Sequence, residues 1–279
     1  MRWLAAMVAV AMTFAACGGT SKSSATSAPD AASSGDFEVD GRTMHLECRG
    51  RGEITVLLES GLGVDSRATW AAVVPRLSRL TRTCWYDRAG TGGSTPVSGR
   101  RTSAAMVHDL RELLRVARVS PPYLLVGASL GGLNAQLFTA TAPQEVVGLV
   151  LVDSLHPDFD RRFAEVMGRR PARERAAALE RNPEGVRFRD LLASDREVRR
   201  AGPLPQVPIR VLVHGISFDP GGEPVPRLEH AWRALAAELA AAGRDGEVVV
   251  AEHSHHRIAE DEPDVVVDAV REVLAAAGD

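Results

Sequence analysis

Leu124-Leu125-Val126-Gly127-Ala128-Ser129-Leu130-Gly131-Gly132 is an apolar run that stops at a serine flanked by glycines and passes into a helical pattern. It predicts a strand, a sharp turn and a helix, with Ser129 at the tip of the turn. A serine there is held in a strained backbone conformation that lifts its hydroxyl clear of the sheet. Gly127 and Gly131, two positions away on either side, leave room where a side chain would collide with the neighbouring strand or helix. G-x-S-x-G alone is a short pattern of common residues, and the strand before it and the helix after it are what give it meaning.

The flanking sequence extends this alternation in both directions. Phe37 to Arg42 followed by Thr43 to Cys48 predicts a hairpin turning at Asp40-Gly41. Ile54 to Glu59 is a third strand, rich in branched residues, that opens onto Ser60-Gly61-Leu62-Gly63. Trp70 to Leu80 has helical spacing, and Arg82 to Tyr86 predicts a fourth strand leading into Asp87-Arg88-Ala89-Gly90-Thr91-Gly92-Gly93-Ser94, in which Asp87 reads as a turn and packing residue. From Ala104 to Ala117, Met106, Leu110, Leu113, Leu114 and Ala117 share one helical face. Downstream, Val146 to Val152 is a near-continuous apolar run of the kind buried on both faces. Ile209 to Val213 and Glu247 to Ala251 complete the strands, and a last helix runs from Asp264 to Ala276. Strands alternating with helices predict an α/β fold with a mainly parallel sheet.

The chain has 279 residues, 45% hydrophobic and 25% charged, enough for one globular domain with an insertion. Its formal net charge of -3 and pI near 6.3 give no electrostatic footprint for nucleic acid. At the N-terminus, Arg2 precedes an apolar run from Trp3 to Ala16 that is shorter than the roughly 20 residues needed to span a bilayer and suits a signal peptide. Phe14-Ala15-Ala16-Cys17 resembles the lipobox of bacterial lipoproteins, with Phe14 where an aliphatic residue is usual. Residues 1–16 therefore read as a signal peptide, Cys17 as a lipidation site, and residues 17–35 as a flexible tether, ahead of a domain over 36–279. The expected location is the outer face of a bacterial cell membrane, with plain secretion as the alternative and membrane contact through the lipid anchor only. An oxidising compartment permits Cys48 and Cys84 to pair, and two independent buried thiols fit the sequence as well.

Leu58-Glu59-Ser60-Gly61-Leu62-Gly63, Tyr86-Asp87-Arg88-Ala89-Gly90-Thr91-Gly92, Gly127-Ala128-Ser129-Leu130-Gly131-Gly132 and Leu149-Val150-Leu151-Val152-Asp153, in this order and spacing, resemble the α/β-hydrolase superfamily. Many members have His-Gly where this chain has Ser60-Gly61, and His where it has Ala128. The resemblance implies an eight-stranded, mainly parallel sheet flanked by helices. It also implies a small helical cap inserted after strand six, here about 155–206, where the strand and helix alternation gives way to arginine-rich helical stretches. Strand four would lie between strands two and three, which puts Cys48 and Cys84 on neighbouring strands and makes a disulfide the expectation.

Acyl-transfer chemistry on such a scaffold needs a nucleophile, a base, an orienting acid and oxyanion donors. Ser129 is the expected nucleophile, and the amides of Leu130 and Leu62 the expected oxyanion donors. Three histidines crowd the loop after the last strand. Ser254-x-His256 followed by Glu262-Pro263 matches the register in which similar hydrolases place their base, so His256 is expected ahead of His253 and His255. The resemblance implies Asp219, after strand seven, as the expected acid, with Asp153 at the end of strand six as the alternative. His45, His108, His156, His214 and His230 read as surface or packing residues, and no metal or cofactor is expected. The resulting expectation is a serine hydrolase acting on a small acyl substrate, such as a carboxylic ester. Alternatives are a cofactor-free peroxidase-like, lyase or peptidase relative, and a non-catalytic binding lipoprotein. A serine rather than an aspartate at position 129 argues against a dehalogenase or an epoxide hydrolase.

Overall fold

A computed structural model describes residues 34–217 and 226–278. The signal sequence, Cys17 and nearly all of the tether lie outside the described residues, and so does Asp219. Eight strands form one sheet: β1 (Gly35–Val39), β2 (Arg42–Arg49), β3 (Thr55–Glu59), β4 (Arg82–Tyr86), β5 (Tyr123–Ala128), β6 (Val146–Val152), β7 (Pro208–His214) and β8 (Arg244–Ala251). Their order is β1-β2-β4-β3-β5-β6-β7-β8. β2 pairs antiparallel with β1 and β4, and every other neighbouring pair is parallel. This is the α/β-hydrolase fold.

Among the described residues there are ten helices: α1 (Ser66–Thr69), α2 (Val74–Leu77), α3 (Ser103–Val116), α4 (Leu130–Thr141), α5 (Phe159–Met167), α6 (Arg169–Leu179), α7 (Phe188–Ala201), α8 (Pro226–Ala241), α9 (Ile258–Asp261) and α10 (Pro263–Gly278). The continuous helix expected over Trp70 to Leu80 breaks into a turn followed by α2, with Pro75 in the first turn of the new helix. A proline has no N–H to give to the preceding turn, so it is accommodated where a helix begins. α8 is an element that the strand and helix alternation leaves unassigned. It buries Leu228, Leu235, Ala236, Leu239 and Ala240.

Strand periodicity divides the core between the two faces of the sheet. On β5, Leu125 joins Met106 and Leu110 of α3, Leu133 and Phe138 of α4, and Leu239 of α8. Leu124 and Val126 point the other way, onto Trp70, Leu77, and Val266 and Val270 of α10. Each such buried aliphatic side chain contributes about 1.5–3 kcal/mol by leaving water. Both faces of β5 are thus fixed, and the strand end carrying Ser129 has little freedom to move. Of the inserted helices, α7 packs on α3 and α4, while α5 packs on α6 and α8. A cavity of about 570 Å³ among them is lined by Phe163, Arg175, Phe188 and Asp195, whose carboxyl is pushed up to about 7 by burial and by the neighbouring Asp160. Among the described residues, no helix is long and apolar enough to cross a membrane.

Cys48 on β2 stands opposite Cys84 on β4 in the antiparallel register, and a disulfide joins them. It closes a span of 36 residues that includes all of β3. Replacing both cysteines by serine is expected to lower the unfolding free energy by about 3–4 kcal/mol, from the chain entropy restored to the unfolded state. Urea unfolding of the double variant against oxidised wild type measures this difference.

Candidate active site

The corner between β5 and α4 is set by steric exclusion. Ser129 has φ 52° and ψ −117°, a left-handed conformation that a residue with a side chain adopts only under constraint. A Cβ at Gly127 would come within 2.5 Å of the Gly131 carbonyl and 2.6 Å of the Gly132 Cα. One at Gly131 would collide with the Glu59 and Ser60 carbonyls of the β3 end. The Ser129 amide donates to Val152 O at 3.1 Å, and its carbonyl accepts from the Leu155 and Gly132 amides at 3.0 Å each. Strand β6 and the chain after it therefore hold the serine on one side, and the β3 end closes against it on the other.

Asp153 directly follows β6 and also has positive φ, 43°. Its amide donates to Leu212 O on β7 at 2.8 Å, so the carboxylate is anchored between two parallel strand ends. It is fully buried. Asp153 Oδ2 lies 2.6 Å from His256 Nδ1, and Oδ1 accepts from the indole Nε1–H of Trp232 on α8 at 2.8 Å. His214, the last residue of β7, brings its Nδ1 to 2.9 and 2.8 Å from the two oxygens. Burial alone would raise the Asp153 carboxyl, but the hydrogen bonds from His214 and His256 outweigh it and hold the group below its ordinary value.

The loop after β8 separates the three histidines. Ser254 is buried, with its hydroxyl donating to His255 O at 2.7 Å. Glu262, whose side chain accepts from the His253 amide at 2.8 Å, pins the loop just before Pro263 opens α10. His253 and His255 are exposed, and half-buried His256 is the one that reaches a strand-end carboxylate. That carboxylate is Asp153, the second of the two candidate acids, while Asp219 lies outside the described residues.

His214 corrects its reading as a surface or packing residue. It is 3% exposed and hydrogen-bonded to two carboxylates, Asp153 and Glu229. The available signal was positional: His214 and Asp153 terminate adjacent parallel strands at the same edge of the sheet. Among the described residues, no group of three or more His, Cys, Asp or Glu is arranged to hold a metal ion.

On the β3 side, the Ser60-Gly61-Leu62-Gly63 loop is clamped by Arg88. A Cβ at Gly61 would sit 3.5 Å from the Ser129 Cβ, so the loop passes directly beside the serine. Arg88 donates through Nη1 to Ser60 O at 2.6 Å and through Nη2 to Gly61 O. The C=O and N–H of one peptide unit point in opposite directions, so this grip turns the Leu62 N–H away from Arg88. Arg88 also forms a two-pronged pair with Glu184, at 2.7 and 2.8 Å, and lies 3.2 Å from Glu59. Glu184, in the segment between α6 and α7, accepts from the Gly63 amide at 2.6 Å. Burial raises the Glu59 carboxyl, against Arg88 and the Asn134 and Tyr86 donors. At Glu184 burial acts the same way, but the charge and hydrogen bonds of Arg88 outweigh it and lower the carboxyl.

Residues 54–205 match the family model described as the alpha/beta hydrolase fold. The uncharacterized protein YqjL of Bacillus subtilis (strain 168) is 27% identical over 242 residues, 86% of this chain and 92% of that protein. A hydrolase from Pseudomonas aeruginosa PA01 has a similar structure, with a TM-score of 0.60 and 24% identity, covering 87% of this chain and 98% of that one. The enol-lactonase from Burkholderia xenovorans LB400 gives a TM-score of 0.61 at 19% identity, over 86% of this chain and 100% of that one.

Arg88→Ala leaves Glu59 and Glu184 buried without their cation and is expected to cost about 3–5 kcal/mol of stability. Adding Glu184→Gln should recover part of that loss, which urea unfolding of the single and double variants reads directly. A single variant as stable as wild type contradicts the clamp.

Proposed function

The chain belongs to the α/β-hydrolase fold family, and from that premise we propose that it is a serine hydrolase cleaving a carboxylic ester or related acyl compound through an acyl-enzyme. The reading is carried by one observation: a buried carboxylate beside the Ser129 corner holds the His256 ring by Nδ1 at 2.6 Å. With Nδ1–H committed to Asp153, Nε2 is the basic nitrogen of His256. His256 Nε2 takes the proton from the Ser129 hydroxyl as Oγ attacks the acyl carbonyl. The amides of Leu130, at the start of α4, and Leu62 receive the oxyanion, since the first N–H groups of a helix lack intrahelical partners. His256 then returns the proton to the departing alcohol. Water, deprotonated by the same nitrogen, attacks the acyl carbonyl; the bond to Ser129 Oγ breaks, His256 returns that proton to Oγ, and the acid is released.

In this reading the triad acid is Asp153 rather than Asp219. A carboxylate held ionised by several donors fits the task, because it fixes the ring and stabilises the imidazolium that forms at each step. The helices of 155–206 act as a cap that selects the substrate, and Glu184 supports this by reaching from that segment to the oxyanion loop. The N-terminal pattern supports export with a lipid at Cys17, so that the domain works outside the cytoplasm on a small acyl substrate. The disulfide is compatible with that location.

Labelling of the purified mature protein with a fluorophosphonate probe tests the proposal. Wild type is expected to label, and Ser129→Ala and His256→Ala to give no adduct. Asp153→Asn should label about a thousandfold more slowly, and Asp219→Asn within about twofold of wild type. A folded wild type that does not label overturns the reading. A protein that labels but hydrolyses no ester in a panel of graded acyl-chain length points to another reaction of the same triad.

A further inference from the structure

Asp153 serves two histidines, and the second has a carboxylate of its own. His214 Nδ1 faces Asp153, and His214 Nε2 lies 3.0 Å from Glu229 Oε2 on α8. A neutral imidazole carries one N–H and one lone pair, so either tautomer would turn a lone pair toward one of these carboxylates. Only the doubly protonated ring donates to both. The side chain of His214 is 3% exposed and those of Asp153 and Glu229 are 0% and 14%, so water does little to relieve such a mismatch.

We propose that His214 is a positioning residue carrying a fixed positive charge, which Glu229 holds in place and which draws part of the Asp153 charge away from His256. The proposal rests on Ser129, His256 and Asp153 forming the triad. Asp153 then supports the protonated form of His256 less strongly than an unshared carboxylate would. The Glu229–His214–Asp153–His256 row also locks the carboxylate rotamer, with Trp232 Nε1 and the His214 amide as further donors at 2.8 and 3.3 Å.

The charged surroundings of His214 are compatible with this state. β6 supplies Asp153, α8 supplies Glu229 together with Arg233, whose guanidinium donates to the His214 carbonyl at 3.2 Å, and the loop after β8 supplies His256. On α10, Glu272 pairs with Arg210, at the other end of β7. Burial opposes a charge on His214, but Asp153 and Glu229 outweigh it and raise the group above its ordinary value. A group raised on folding contributes stability that is complete below its unfolded value, about 6.5, and lost as pH rises through the folded one.

Two measurements on the mature protein test the assignment. In the pH profile of the fluorophosphonate labelling rate, His214→Asn is expected to move the acid limb upward by about half to one pH unit, slowing labelling near pH 6 by about three- to tenfold. Asparagine keeps a donor for Asp153 but carries no charge, so a slower rate with an unmoved acid limb means a structural role only and overturns the proposal. Independently of activity, nitrogen NMR of the histidine rings in Ser129→Ala should show His214 as an imidazolium near pH 7. Adding Glu229→Gln should make it lose a proton at least about one pH unit lower. A neutral His214 ring near pH 6 overturns the proposal even if His214→Asn does not fold. Failure of the wild type to label overturns the triad reading instead, and the NMR result still decides the charge on His214.

Discussion

The backbone between Gly127 and Gly132 has almost no spare volume, and the geometry of the site follows from that. A side chain at 127 would overlap the Gly131–Gly132 backbone at the start of α4, and one at 131 the Glu59 and Ser60 carbonyls at the end of β3. Only with these positions empty can Ser129 adopt its left-handed corner at the end of a strand buried on both faces. The two flanking strand ends then lie within reach. β6 delivers Asp153, and β3 delivers the loop that runs past Gly61.

Two buried ionic groups stand on either side of this corner. On one side Asp153 is shared by His214, His256 and Trp232; on the other Arg88 is shared by Glu59, Glu184 and two loop carbonyls. Buried charges cost solvation, and such networks are weak sources of stability compared with apolar packing of equal volume. What they contribute here is direction. Each carboxylate oxygen and each guanidinium N–H can be satisfied in few arrangements, so the groups fix the tilt of a histidine ring and the plane of a peptide. The surrounding apolar layers provide the free energy that tolerates this expense in solvation.

Local features were legible in the sequence because their causes are local. The glycines around Ser129 announce a tight corner, the alternation of apolar runs announces the sheet, and the Asp40-Gly41 turn announces the hairpin. His256 stood out through the family resemblance, because Ser254-x-His256 followed by Glu262-Pro263 matches the register in which similar hydrolases place their base. The pairing of Cys48 with Cys84 required a strand order that only the family resemblance supplied. The acid was ambiguous for a definite reason: β6 and β7 both end at the same edge and both are followed by an aspartate. Nothing in the chain distance tells which side chain turns toward the histidine. His214 escaped notice because its meaning depends on Asp153, 61 residues earlier, and on Glu229 in a helix with weak periodicity. The role of Glu184 depends on Arg88, 96 residues away.

The position of Glu184 has a bearing on how such a protein diversifies. Here the inserted segment donates a carboxylate that neutralises Arg88 and holds the Gly63 amide, so part of the core is encoded outside it. A foreign segment grafted over 155–206 would need an acidic side chain reaching the same spot, or a compensating change at Arg88. The residues around the 570 Å³ cavity carry no such tie, whereas Glu184 and Arg88 form one ionic unit that a replacement at either position would break.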